Sequence, residues 1–268
     1  MLRTSKLLSI LAITCVAAWP AVAQDQLTGD EIVDNINARE DGQHVTREFT
    51  FELTNRAGRT RTQNSIAYRR HFGDEKRTVI FYTEPTRVRD TAFLTFDYAD
   101  PNTTDDQWLY LPALRKVRRI SAADRGDYFL GTDFNYEEIK KEQKIEPTDY
   151  IFETTGTKVI DGRELLVVAG KPSSEDVANE LKLSKTIWHV DPEIWMSRRT
   201  DYYDTNGNHA RTLTLEGVDV IDGFITATQI FAENHKTKHS SRLIFSNTDY
   251  ETEIKESMFT QAQLRRGQ

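Results

Sequence analysis

The stretch "REFTFELTNRAGRTRT", residues 47–62, decides the architecture. Phe49, Phe51 and Leu53 alternate with Thr50, Glu52 and Thr54, and the alternation stops at a polar turn from Asn55 to Gly58. A period of two sends successive side chains to opposite faces of a strand, so the stretch reads as a hairpin with one apolar face.

Outward from it the same period recurs to the C-terminal region. "KRTVIFYTEP", "TAFLTFDYAD" and "QWLYLP" follow as short strands, and after an interruption come "YIFETTGTKVIDG", "RELLVVAG", "SKTIWHVDPE", "IWMSRRTDYYDTNGN", "ARTLTLEGVDVIDG", "FITATQIFAEN" and "SSRLIFSNTDY". Asp161-Gly162, Asn206-Gly207 and Asp222-Gly223 are two-residue turn signals between them. About eleven strands with no long helices between them predict an antiparallel meander rather than strand–helix–strand units. A sheet of that length twists and curls. The expected fold is a single strongly curved antiparallel sheet, an incomplete β-barrel, with a few short helices covering its concave side.

Three segments supply the helices. In "LTGDEIVDNINARE", residues 27–40, Ile32, Val33 and Ile36 form one apolar face. Thr28 and Glu31 have capping-box spacing, and Leu27 and Ile32 have the spacing of a hydrophobic staple, which predicts a helix over 29–39. "DRGDYFLGTDFNYEEIKKEQ", residues 124–143, reads as a loop leading into a short helix near 135–143, and "ESMFTQAQLRRGQ" as a short terminal helix. No repeat or linker divides the chain, so residues 24–268 are expected to form one domain.

The first 23 residues read as a cleaved signal peptide. Arg3 and Lys6 precede twelve largely apolar residues, 7–18, and Ala21-Val22-Ala23 fits a small-x-small cleavage pattern. Export to the periplasm is the expectation. Cys15 is the one cysteine, and Ala12-Ile13-Thr14 before it match a lipid-attachment site poorly. The mature chain would have no disulfide and must rely on an ordinary core. No later segment approaches the ~20 consecutive apolar residues of a membrane span. Without Arg3 and Lys6 there are 33 basic and 42 acidic residues, a formal charge of −9, which argues against nucleic acid as a general partner.

Enzyme signatures are missing. There is no G-x-S-x-G, H-E-x-x-H, G-x-x-x-x-G-K-[ST] or G-x-G-x-x-G, and the mature chain has no cysteine nucleophile. His235 and His239 have metal-pair spacing only on a helix. Here "ENHKTKHSS" reads as a hairpin turn, so both are expected to be solvated. His189 sits in a strand, where packing or a hydrogen bond is expected. Asp97, Asp100, Asp105 and Asp106 lack calcium-loop spacing and read as a solvated loop. No metal, no cofactor and no enzymatic activity are expected.

The curled sheet must enclose either packed side chains or a cavity. Phe51, Phe81, Phe93, Trp108, Tyr110, Trp188, Trp195, Leu213, Leu215 and Phe231 stand at alternating positions, and each taken alone reads as core. In "DQWLYLPALRKVRRIS", residues 106–121, an apolar block abuts Arg115, Lys116, Arg118 and Arg119. This is one hairpin turning at 112–114, and either the Trp108/Tyr110 pair or the Leu109/Leu111 pair faces inward. Its cations protect a sheet edge or meet an anionic surface, where each contributes ~1 kcal/mol.

Trp108-Leu109-Tyr110-Leu111-Pro112, the basic run from Arg115 to Arg119, and "DYFLGTDFNYEEI", residues 127–139, together resemble the outer-membrane lipoprotein-sorting protein family, the LolA-like periplasmic carriers. Residues 202–234 and "ESMFTQAQLRR" are similar to the C-terminal half of the same group. The resemblance implies a half-barrel whose cavity holds the acyl chains of a lipoprotein or phospholipid and carries them between envelope membranes without covalent chemistry. It implies a monomer, with an inner-membrane transporter and transient contact with a membrane surface as partners. On that basis Phe51, Leu53, Phe81, Phe93, Trp108, Tyr110, Phe129, Phe134, Trp188, Trp195, Leu213, Leu215 and Phe231 are expected to line the cavity. Arg115, Lys116, Arg118 and Arg119 would meet headgroups or a partner. Residues 124–143 are the expected lid, with Gly126 and Gly131 flanking Tyr128-Phe129-Leu130. A second reading is a non-enzymatic accessory protein of an envelope transporter, acting through its surface.

Overall fold

Phe49, Phe51 and Leu53 are all buried on one face of the first strand, as their alternation requires. The computed structural model describes residues 27–100 and 103–267; the expected signal segment lies outside them. The strands are β1 (His44–Thr54), β2 (Thr60–Phe72), β3 (Glu75–Glu84), β4 (Ala92–Asp97), β5 (Asp106–Leu111), β6 (Lys116–Ile120), β7 (Tyr150–Ile160), β8 (Arg163–Pro172), β9 (Lys185–Asp191), β10 (Met196–Tyr203), β11 (His209–Ile221), β12 (Phe224–Asn234) and β13 (Ser240–Asp249). They form one antiparallel sheet in the order β6-β5-β4-β3-β2-β1-β13-β12-β11-β10-β9-β8-β7. The count exceeds the expected eleven because the strand signal is apolar alternation, and two return strands lack it. In β2 the inward positions include Gln63, Ser65 and Arg69, and β6 is mostly cationic.

The topology places the functional elements. Consecutive strands are neighbours in the sheet with one exception, β6 and β7, and one pairing joins strands far apart in the chain. β1 pairs with β13, which joins the halves of the sheet. β6 and β7, consecutive in the chain, are the two free edges. Residues 121–149 therefore have to pass from one edge of the curved sheet to the other, and they do so across its concave face.

Helix α1 (Gly29–Ala38) starts with the expected capping box between Thr28 and Glu31. It buries Ile32, Val33 and Ile36 against Val168, Trp188 and Val190. Helix α2 (Tyr136–Lys141) lies in the crossing segment and has a second capping box, between Asn135 and Glu138. Helix α3 (Glu175–Leu181) is too short to carry an apolar period, and its signals are local: Ser174 caps it by accepting from the Val177 N–H, and Glu175 and Asp176 occupy its first turn. Helix α4 (Gln261–Arg266) lies against β4, β5 and β6, and its Leu264 joins Phe259 in an outer cluster with residues of β3 and β4.

Both faces of the sheet are covered around β3. Ile80 and Tyr82 belong to the inner core, whereas Val79 and Phe81 belong to the outer cluster under α4. That double burial explains why "TVIFY" reads as a continuous apolar run. At the turns after β7 and β11, Asp161 and Asp222 (φ 49° and 50°) and Gly162 and Gly223 (φ 77° and 86°) take the left-handed pairs that the Asp-Gly dipeptides predict.

Candidate functional site

A half-enclosed cavity of about 130 Å³ lies between the concave face and the crossing segment. Leu213 and Leu215 on β11, Ile230 on β12, Leu243 on β13, and Trp188 and Met196 on β9 and β10 form its floor, and Phe134 and Ile139 of the crossing segment add apolar carbon from the opposite side. An engineered apolar cavity of about 150 Å³ admits benzene, so in this state the space suits a short run of acyl carbons.

The crossing segment is two structures in series. The first part, around residues 126–134, is a plug. Phe129 is fully buried, with its ring 5.2 Å from that of Phe93 and 5.4 Å from that of Tyr136. The Asp133 carboxylate accepts from the Ser241 hydroxyl at 2.7 Å, and the Asp133 N–H donates to the same hydroxyl oxygen at 2.9 Å. Gly126, which flanks the apolar residues of the expected lid, is a point of close approach. Its N–H donates to the Glu180 carbonyl at 3.1 Å, and a Cβ there would come closer than 3.0 Å to the Glu180 and Leu181 carbonyls.

The second part, residues 135–146, is the roof over the cavity, and ionic contacts hold it. Arg211 makes a two-pronged contact with Glu138, at 2.5 and 2.6 Å. Arg47 pairs with Glu142 at 2.5 Å, with side chains 7% and 23% exposed. Lys141 reaches Asp97 and Glu146, each at 2.6 Å, and Lys140 pairs with Asp105 and Glu137. At the α1 end, the Asn37 side chain clasps the backbone of Ile145, donating to its carbonyl at 2.8 Å and accepting its N–H at 3.0 Å.

These pairs set the protonation states. Burial alone would raise the Glu142 carboxyl, but Arg47, Arg69 and Lys76 outweigh it and bring it down to about 2. Burial likewise opposes the charged form of Asp41, yet the His71 hydrogen bond and the Arg69 and Lys144 charges hold it well below the carboxylate range. For Asp97 the same contest is won by Lys76 and Lys141. The roof residue Glu142 also has a left-handed backbone, at φ 60°, a conformation that costs a non-glycine residue roughly 1–3 kcal/mol. The site is an apolar floor beneath a charged, mutually neutralising roof. Among the described residues no group of three His, Cys, Asp or Glu side chains is placed to hold a metal ion.

The residues singled out from sequence fall in four places. Phe134, Trp188, Leu213 and Leu215 line the cavity. Phe51, Leu53, Phe93 and Phe129 lie in the inner core beside it and are fully packed. Phe81, Trp108 and Tyr110 are on the wrong face for a cavity, in or against the outer cluster, because Leu109 takes the inward position on β5. Phe231 also points away, since Ile230 and Ala232 face inward, and it packs under the Arg242 guanidinium at 5.1 Å. Trp195 packs behind α1 with Trp188.

Arg115, Lys116, Arg118 and Arg119 are exposed along the free edge, and none lines the cavity. Arg118 pairs with Asp124 at 3.4 Å, and Arg119 pairs with Asp106. The two loop histidines are not solvated as expected. His239 bonds Asp133 at 2.5 Å, and His235 contacts Thr212 at 2.9 Å. Asp97, Asp105 and Asp106 are ion-paired rather than free loop carboxylates. His189 is buried in β9 and bonds the Arg199 carbonyl at 3.3 Å, as a packing residue would.

A model of an "Uncharacterized protein"-like family matches residues 74–266. No curated protein matches the chain. A DUF1329 family protein from Desulfovibrio piger has a similar structure, with a TM-score of 0.81 and 24% identity over 88% of this chain and 97% of that one. An outer membrane lipoprotein-sorting protein domain from Vibrio parahaemolyticus gives 0.79 and 26%, over 89% and 98%. A LolA superfamily protein from Nitrosomonas europaea gives 0.67 and 18%, over 89% and 100%.

Proposed function

The chain belongs to this "Uncharacterized protein"-like family and has a LolA-like fold, and from that footing we propose that it is a periplasmic carrier for the acyl chains of a lipoprotein or phospholipid. The observation that carries the reading is the half-open apolar cavity beneath the roof. A two-chain lipid in water exposes roughly 25 or more CH₂ groups, each worth ~0.8 kcal/mol of transfer. A groove on the concave face offers that transfer without a bilayer.

The cavity of about 130 Å³ is too small for two whole chains. Loading then requires the ion-paired part of the roof, residues 137–146, to lift while the plug around Phe129, with Tyr136 packed on it, stays seated. Their ionic contacts suit that role, because separated charges regain water on opening whereas separated aromatic rings do not. The exposed edge strand β6, with Leu114 exposed at its hairpin tip, would serve for transient contact with anionic headgroups, open to cations that lie outside the cavity.

Two measurements test the reading. An organic extract of protein purified without detergent should contain lipid by mass spectrometry, and a neutral naphthylamine probe should bind and be displaced by acyl compounds. Protein that is lipid-free and excludes both probe and acyl chains would overturn it. Sedimentation with anionic vesicles, weakening as salt is raised, tests the edge contact; binding indifferent to salt would rule out a role for the four cations.

A further inference from the structure

Five cations line the cavity, and four of them have carboxylate partners: Arg47, Arg69, Lys141 and Lys144. Arg39, the residue that ends α1, has none within ion-pair distance among the described residues. Its Nη1 makes one long contact, donating to the Ile225 carbonyl at 3.4 Å, and its Nε is buried without an acceptor. A guanidinium carries five N–H donors in a rigid fork. One of them meets a protein acceptor, at long range, and the buried Nε–H meets none among the described residues; an unmet buried donor is costly.

Its neighbours do not account for it. Burial pulls the Arg39 guanidinium below its ordinary range, and the nearby Asp41 and Glu142 charges offset this only in part. Both carboxylates already serve other cations, Asp41 with Arg69 and Glu142 with Arg47. A cation at a helix C-terminus does complement the dipole, but an exposed side chain would do that as well, without burying a donor in a cavity wall. The same wall carries Ile36, Ile225 and Phe245, so an unmet cation and apolar carbon face one space.

We infer that Arg39 is the headgroup subsite of this cavity and that the ligand is an anionic amphiphile, whose carboxylate or phosphoester oxygens accept the guanidinium fork while its tail lies on the apolar floor. This rests on the acyl-carrier reading and adds a sign of charge to it. A planar fork meeting a two-oxygen anion gives two parallel charge-assisted hydrogen bonds.

The test is displacement of N-phenylnaphthylamine, a neutral probe, by dodecanoate, dodecyl phosphate, dodecanol and inorganic phosphate. The proteins are the wild type, Arg39→Gln and Arg39→Lys, each checked for folding by circular dichroism. The wild type should prefer both anionic amphiphiles to dodecanol by about tenfold or more, the lower range for a hydrogen bond to a charged group. Arg39→Gln should erase the preference and leave dodecanol unchanged, and Arg39→Lys should keep part of it. Should the glutamine variant not fold, the lysine variant and the wild-type preference still decide.

Equal affinity of the wild type for dodecanol and dodecanoate, or a preference that survives in Arg39→Gln, overturns the subsite and leaves the carrier reading standing. Displacement by inorganic phosphate alone overturns the amphiphile in favour of a free anion. If no amphiphile displaces the probe, the carrier reading fails, and the subsite fails with it.

Discussion

Replacing Glu142 by Gln should loosen the roof without unfolding the sheet. The substitution keeps the shape of the side chain and removes the charge that faces Arg47 at 2.5 Å. Arg47 is left with a side chain only 7% exposed and no carboxylate. Breaking a buried pair from one side costs about 3–5 kcal/mol. The Arg47 guanidinium keeps its places 5.2 Å from the Phe49 ring centroid and 4.6 Å from that of Phe245, so it is not left without a favourable neighbour and the low end of that range applies. A cost of about 3 kcal/mol shifts the closed-to-open equilibrium of residues 137–146 by roughly two orders of magnitude.

Hydrogen exchange reads this directly. Amides of α2 and the residues after it should exchange about a hundredfold faster, while those of β1 to β3 stay protected, and the naphthylamine probe should enter faster. Adding Arg47→Met should restore much of the protection, since an apolar replacement of the whole pair is close to neutral. Exchange that accelerates equally in sheet and roof, or in neither, refutes the idea that this pair is the latch.

Four further outcomes follow from the same geometry. Acid should weaken the closed state through Glu142: its carboxyl lies at about 2 against an ordinary 4.5, so the stabilisation is present above pH 4.5 and is lost as pH falls from there toward 2. The wild type should lose on the order of 3 kcal/mol more than Glu142→Gln across that window in thermal denaturation; parallel pH profiles would contradict it. Gly126→Ala should cost about 1–3 kcal/mol by overpacking against the Glu180 and Leu181 carbonyls, seen as a lower melting temperature. Ala227→Phe, at the cavity wall, should occupy the space and lower probe affinity about tenfold or more while the protein stays folded; unchanged affinity would place the binding site elsewhere. Phe81→Ala should cost about 3–5 kcal/mol yet leave probe affinity alone, because Phe81 packs toward Phe259 and Leu264 on the outer face.

Strand alternation and capping are legible in the chain because they are local. Phe49, Phe51 and Leu53 share a face by backbone geometry alone, and Thr28 with Glu31 closes a box within one turn. The direction in which a strand presents its faces is not local. Trp108 and Tyr110 look like better cavity residues than Leu109, but the register Phe93↔Leu109 puts the leucine inside, and α4 makes the outer face equally apolar. The site itself is the least legible part. "EEIKKEQKIE", residues 137–146, reads from its charges as little more than the short helix expected near 135–143, yet Lys140 is among the most buried side chains. Its partners are Asp97 and Asp105 for the lysines, Arg47 for Glu142 and Arg211 for Glu138. They lie 35 to 95 positions away, beyond the reach of any window or period. Arg39 stands out only by elimination, once every other cavity cation has been matched.

The seam between β1 and β13 also fixes an order of events. Every other neighbouring pair in the sheet is joined by a hairpin or short connection, so β1 to β6 and β7 to β13 are each able to assemble from nearby residues as two half-sheets. The seam joins positions about 200 apart, with Thr46 opposite Asp249, and long-range pairing of that kind is slow. Until Ser240–Asp249 has been delivered, the inner face of β1 and its row of unpaired backbone groups remain open to any passing strand. A chain released to fold from its N-terminus is thus most vulnerable to aggregation along β1, and a holding chaperone would have the most to protect there, at the middle of the finished sheet rather than at its edges.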